Sequence, residues 1–272
     1  MSINLSDIIS SGSSKMDFEE FTSSGTWTRP NSDIKVVSFI LVGGGGAGSR
    51  SSLGTYGGGG GGGGEIVYGS LPTTSNLTIT IGDGGAARTG TNVSGYKGDN
   101  SIITGGLFDI TAYGGQPGIV FYGAYTGNGG AGGTIGINYI KSTYAGGWQY
   151  GSDPASGYGG STIISLNYGL TGFSTNNGLI TRVGGAGGGQ GSYPTVLTAG
   201  DGASSPFAKG GVIRTSVGGG GGGASFEVGG NGGDGGSTPG DTGTKGSGGG
   251  GGTNATYAGD GGDGYCIIFW NA

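Results

Sequence analysis

The most constraining stretch of this 272-residue chain is Gly229-Gly-Asn-Gly-Gly-Asp-Gly-Gly-Ser237, three Gly-Gly-X triplets in succession. The same rhythm returns around 127–134, 184–190 and 259–264. A period of three fits neither an α-helix nor a β-strand. It fits the left-handed extended helix of the polyproline II kind, with three residues per turn and a rise of ~3.1 Å. Such a helix makes no internal hydrogen bonds, so its buried N–H and C=O groups must find partners elsewhere. Glycine helices lying side by side satisfy one another, because the absent side chain leaves room for the approach. The tracts therefore predict a bundle of polyglycine II helices, and the segments between them the loops it displays.

Gly is 78 and Pro 7 of the 272 residues, a composition that by itself points to a disordered, low-complexity chain. The period in the glycine runs and the long apolar β-type runs between them argue for order instead. Collagen is excluded, because prolines are few and Gly-X-Y is not sustained. The net charge of −5 comes without a basic cluster, which argues against nucleic acid as a partner. The single cysteine, Cys266, excludes an internal disulfide framework. Met1–Lys15 lacks the basic start and apolar core of a signal peptide. No apolar stretch approaches the ~18 residues a membrane helix needs.

Residues 1–16 form a short head whose apolar residues are Ile3, Leu5, Ile8 and Ile9, followed by a Ser-Gly-Ser-Ser hinge. It is either a frayed terminus or a docking peptide that orders on a partner. Residues 17–113 read as β-structure. Candidate strands are Asp17–Thr22, Ile34–Val42, Glu65–Tyr68, Asn76–Ile81, Ser101–Thr104 and Leu107–Ala112. Tyr265–Trp270, within 264–272, is too apolar for an uncovered edge and is expected to pair back with the early strands. Residues 114–263 would then be one long insertion into a β-sandwich, holding the glycine bundle.

In that insertion, aromatic segments alternate with glycine tracts. Ile119–Tyr125 and Tyr139–Tyr158 hold Phe121, Tyr122, Tyr125, Tyr139, Tyr144, Trp148, Tyr150 and Tyr158. These rings either pad the bundle or form a contact surface. Tyr and Trp set among Ser, Gly and Asn is also the composition of antibody binding loops, and loops on a rigid scaffold commonly carry recognition. No catalytic constellation stands out: there is no histidine, and Cys266 lies beside Ile267 and Ile268 as a buried thiol would. No cofactor fingerprint survives against the glycine background. Gly229–Asp234 matches the start of a calcium-binding repeat, but Gly236 stands where that repeat needs a large aliphatic residue, so no metal is expected.

Phe21-Thr-Ser-Ser-Gly-Thr-Trp-Thr-Arg-Pro30, then Ile34–Val42 running into Gly43-Gly-Gly-Gly-Ala-Gly48, resembles the start of the glycine-rich domain of bacteriophage tail fibre proteins. Leu77–Gly85, Asn100–Ser101 and Thr111–Gly115 fit its middle, and Gly261-Gly-Asp-Gly-Tyr-Cys-Ile-Ile-Phe-Trp270 resembles its last strand. A jelly-roll-like sandwich of the tumour-necrosis-factor type with inserted glycine helices is similar to the anaplastic lymphoma kinase ectodomain. The aromatic loops resemble those of T-even-like phage tip adhesins. The resemblance implies an all-β fold, a jelly-roll-like sandwich with an inserted polyglycine II bundle. It also implies a virion protein of the tail fibre or tail tip. Its partners would be a host outer-membrane protein or surface glycan at the aromatic segments, and other tail or baseplate proteins through Ile3, Leu5, Ile8 and Ile9. A homotrimer is implied by the same analogies. The alternatives are an ice-binding protein on a polyglycine II bundle and a structural fibre domain without receptor contact; a glycanase is disfavoured, since no segment marks an acid in an apolar pocket.

Overall fold

The computed structural model describes residues 16–51, 57–90, 92–105, 108–120, 127–128, 163–165, 180–189, 191, 199–214, 218–233, 237–253 and 256–271. Among them there is no helix, and the strands in chain order are β1 (Met16–Phe21), β2 (Gly25–Trp27), β3 (Val36–Val42), β4 (Ile66–Pro72), β5 (Leu77–Thr80), β6 (Ser101–Gly105), β7 (Phe108–Ala112), β8 (Ile119–Val120), β9 (Gly127–Asn128), β10 (Ile163–Ser165), β11 (Ile180–Val183) and β12 (Tyr265–Asn271). Two antiparallel sheets make the sandwich, one in the order β1-β12-β3-β4-β11-β10 and the other β2-β5-β6-β7. The last strand does pair back: β12 lies between β1 and β3, with Cys266 opposite Phe21 on one side and Leu41 on the other.

Alternation along the strands explains the core. On β3, Val37, Phe39 and Leu41 are buried, while Val36 and Ser38, which alternate with them, face out. Leu77 and Ile79 of β5, Ile103 of β6 and Ile268 of β12 meet them from the two sheets. Trp27 is fully buried here, edge-on to Trp270 at 5.5 Å, and its indole N–H has no hydrogen-bond partner. Cys266 is buried in the same core, and that burial raises its thiol pKa, as an inert thiol requires.

The glycine tracts make a second body on the end of the sandwich. The tract 43–50 continues β3 and donates its N–H groups in rotation. Gly43, Gly46 and Ser49 donate to the carbonyls of Glu65, Gly62 and Gly59. Gly44, Ala47 and Arg50 donate to Asp99, Tyr96 and Val93, and Gly45 and Gly48 to Gly262 and Gly259. Every third residue meets the same neighbour, three residues further back. The backbone therefore turns once in three residues, and these three neighbours run antiparallel to it. Its carbonyls accept from three more tracts: Gly44 and Ala47 from Gly115 and Gly118, Gly45 from Gly85, and Gly46 and Ser49 from Gly249 and Gly252. Around 246–252 the neighbours are 43–50, 57–65, 218–224, 229–233, 240–243 and 259–262. Threefold rods with six neighbours pack hexagonally, the arrangement expected of polyglycine II helices.

At the packed glycines this leaves no space for a side chain. A Cβ on Gly61 would lie 2.0 Å from the Gly46 carbonyl oxygen, and one on Gly222 would lie 2.0 Å from that of Gly248. At the rim, where a rod lacks a neighbour, side chains replace the missing carbonyls. Asp263 Oδ1 accepts from Gly84 N at 2.8 Å, and Asp260 Oδ1 accepts from Ala87 N at 2.5 Å, one turn further along. Asn100 and Asp201 do the same for Gly114 N and Ile213 N.

The bundle is not confined to 114–263. Tracts 43–50, 57–65, 82–87 and 93–100 come from within 17–113 and sit among the others. In return β10 and β11, from within 114–263, extend the six-stranded sheet beyond β4. The reason is physical: outward backbone groups take any glycine rod as a neighbour, whatever its position in the chain.

Candidate recognition surface

The rods give the bundle two ends. Tracts 43–50, 82–87, 113–118 and 184–189 leave β3, β5, β7 and β11, whereas 57–65, 93–100 and 259–264 return into β4, β6 and β12. Eight residues at ~3.1 Å place the far end roughly 25 Å from the sheets. The contacts there are Arg50 with Val93 and with Gly252, Gly57 with Thr253, and Gly118 with Ala47. The described residues where these rods break off, among them Arg50, Thr89, Val120 and Thr253, therefore lie at one end, on rods whose backbone groups bond to one another.

Arg50 ties this end together. Its Nη1 donates to the Thr89 carbonyl at 2.7 Å and its Nε to that of Thr253 at 3.2 Å. Its guanidinium lies over the Tyr257 ring, 4.4 Å from the centroid. Nearby, Arg88 lies 5.4 Å from the centroid of Tyr96. Tyr96 and Tyr257 are 57% and 55% exposed, the most open aromatic rings among the described residues. Both interrupt glycine tracts, so the same reasoning that selected Phe121 and Trp148 could have selected them.

The eight rings predicted as receptor-binding, Phe121, Tyr122, Tyr125, Tyr139, Tyr144, Trp148, Tyr150 and Tyr158, lie outside the described residues, as do Ile3, Leu5, Ile8 and Ile9 of the head. What is described is their frame. β8 and β9 pair across 121–126, with Ile119 opposite Asn128. Val120 N donates to Ser94 Oγ at 3.3 Å, which fixes β8 beside the 93–100 rod. Two other aromatics of the insertion act as padding. Phe207 stands edge-on to Tyr68 at 6.2 Å, and Phe226 stacks on Tyr265 at 5.6 Å, both against the outer face of the larger sheet.

At the near end, Glu65 closes its rod at the start of β4. Its Oε2 accepts from Tyr113 N at 3.1 Å and from Arg182 Nη1 at 3.0 Å. Burial raises its pKa to about 6, against the lowering effects of Arg182 and the Tyr113 N–H. Arg182 also donates to the Thr111 carbonyl at 2.9 Å, while its Nε is buried without a partner. This pair joins two rods and a strand; it stands apart from the exposed rings of the far end. No group of three or more His, Cys, Asp or Glu among the described residues is placed to hold a metal ion.

A two-sheet antiparallel sandwich continued into hydrogen-bonded glycine rods defines an all-β, glycine-rich class of protein. The chain belongs to the glycine-rich domain family, whose model matches residues 22–271. No curated protein matches it.

Proposed function

We propose that this chain is a receptor-binding protein of a bacteriophage tail fibre or tail tip, an adhesin rather than an enzyme. The observation that carries this reading is that Arg50, Thr89, Val120, Thr253 and Tyr257, each beside a break in a glycine rod, gather at one end of a body of mutually hydrogen-bonded rods. Such a body is rigid and poor in side-chain chemistry, so specificity falls to the aromatic segments it presents. The segments Ile119–Tyr125 and Tyr139–Tyr158 are the proposed contact surface, joined by exposed Tyr96 and Tyr257. The target is an outer-membrane protein or a surface glycan of the host. The head, through Ile3, Leu5, Ile8 and Ile9, docks on other tail or baseplate proteins, and the chain works in the virion as a homotrimer. The test is competition: purified protein should block adsorption of its phage to host cells in a saturable way. Protein that neither binds host cells nor blocks adsorption would overturn the reading.

A further inference from the structure

We propose that the flank of the glycine bundle formed by the rods 259–264, 82–87, 93–100 and 113–120 is sealed by its own side chains against glycine rods of other copies. A rod at the rim of such a bundle stands where an edge strand stands in a sheet. Its outward N–H and C=O groups are a template for pairing with another chain. The partner that fits them is a glycine tract, and every copy of this chain carries several. An open flank would therefore merge the bundles of neighbouring copies.

The seal is built in register. In the notch between 259–264 and 82–87, a further rod would need the donors of Gly84 and Ala87, one turn apart. Asp263 Oδ1 and Asp260 Oδ1, also one turn apart, accept them at 2.8 Å and 2.5 Å. Between 93–100 and 113–120 the match extends over three positions. The donor row of the second rod is Gly114, Pro117 and Val120, and the antiparallel row facing it is Asn100, Lys97 and Ser94. Asn100 Oδ1 accepts from Gly114 N at 3.0 Å and Ser94 Oγ from Val120 N at 3.3 Å. Pro117 has no N–H to offer, and the residue midway between Asn100 and Ser94 is a lysine, which has no acceptor. Side-chain acceptors thus stand where the rod has donors and are absent where it has none. Asp83 and Ala86 donate to no other rod among the described residues, and each carries a side chain of its own. Within 82–87, 93–100, 113–118 and 259–264 every exposed residue is something other than glycine. A Cβ on the inward Gly84 would lie 2.1 Å from the Gly261 carbonyl oxygen. The outward Cβ atoms would meet an incoming rod in the same way, so copies join through other surfaces and each far end stands free.

The seal does not depend on what the far end binds, so mass and adsorption can fail separately. Asp260→Gly with Asp263→Gly in the full chain frees the two donors and turns 259–264 into unbroken glycine. By sedimentation equilibrium at micromolar concentration, this variant should at least double the wild-type particle mass, with unchanged circular dichroism. Asp260→Ala with Asp263→Ala frees the same donors but leaves two methyl groups in the notch, and should keep the wild-type mass. Asp260→Asn with Asp263→Asn keeps the acceptors and removes the charge, and should also keep it. A glycine pair of wild-type mass overturns the proposal. So does an alanine pair that associates equally, because loss of the two bonds would then suffice. An asparagine pair that associates overturns it too, because charge would then be what keeps copies apart. Should the glycine pair fail to fold, Asp263→Gly against Asp263→Ala repeats the comparison at one position, and equal masses there overturn the proposal.

Discussion

Glu65 Oε2 lies 3.0 Å from the guanidinium of Arg182 at the seam between the glycine rods and the sandwich. Both side chains are largely buried, and the carboxyl holds its proton up to about pH 6 rather than the ordinary 4.5. A folded-state pKa above the unfolded one means the native state binds more protons between those values. The contribution to stability is therefore fully present below pH 4.5 and declines as pH rises through about 6. The decline amounts to about 2 kcal/mol. Glu65→Gln resembles the neutral acid that the fold favours, so it should be close to wild type below pH 4.5 and should gain on it as pH rises through about 6. Urea midpoints of both proteins across this range measure the difference, and a difference that does not change with pH would show that Glu65 titrates normally.

Neighbouring glycines of one tract should differ in tolerance. A Cβ on Gly232 would lie 1.9 Å from the Gly219 carbonyl oxygen, with no side chain to move aside. On Gly233 the nearest atoms are Thr238 O at 2.9 Å and Thr256 Oγ1 at 3.0 Å. Gly232→Ala should cost about 3 kcal/mol, at the upper end of overpacking, and Gly233→Ala about 1 kcal/mol. Thermal melts of the two variants give the comparison. Equal losses would mean that the rods are not packed backbone to backbone at this level.

Rim carboxylates should act as substitutes for a missing rod. Asp263→Ala removes the acceptor of the Gly84 N–H and should cost about 1 kcal/mol, since water partly replaces it at an exposed site. Asp263→Asn keeps an acceptor oxygen and should lose less. Amide exchange at Gly84 should quicken in the alanine variant; an unchanged rate would remove Asp263 from this role.

Recognition should separate from stability. Trp148→Ala with Tyr150→Ala should abolish adsorption to host cells while shifting the melting temperature little. Large aromatic rings are frequent energetic anchors of interfaces. Unfolding of the double variant would instead assign these rings to padding, as for Phe226 against Tyr265.

Strands with clean alternation could be read directly from the residues. Asn76–Ile81 contains β5, and Ile34–Val42 contains β3, which starts at Val36 after the turn at Ser32–Asp33. Ile163–Ser165 and Ile180–Val183 were missed, because such short strands carry too few residues to show a period. The three-residue rhythm foretold rods, but not which rods would touch. Gly43–Gly48 read as the run after a strand, yet it lies at the centre of six neighbours, since identical glycine text leaves partner choice to the geometry of the sheets. Tyr96 and Tyr257 escaped notice for a simpler reason: each stands alone in its tract, without a second ring nearby in sequence.

The rotation of donors along 43–50 also sets a rule for how such a chain can change length. Adding or removing three residues shifts a rod by one full turn and returns each N–H to its old neighbour. One or two residues swing every following donor by a third or two-thirds of a turn, toward a rod whose carbonyls are already taken. Tract length in this architecture is therefore counted in threes, while the text beyond the last paired glycine is free to vary. Between relatives, a far-end segment can then be exchanged whole, with the body beneath it left in register.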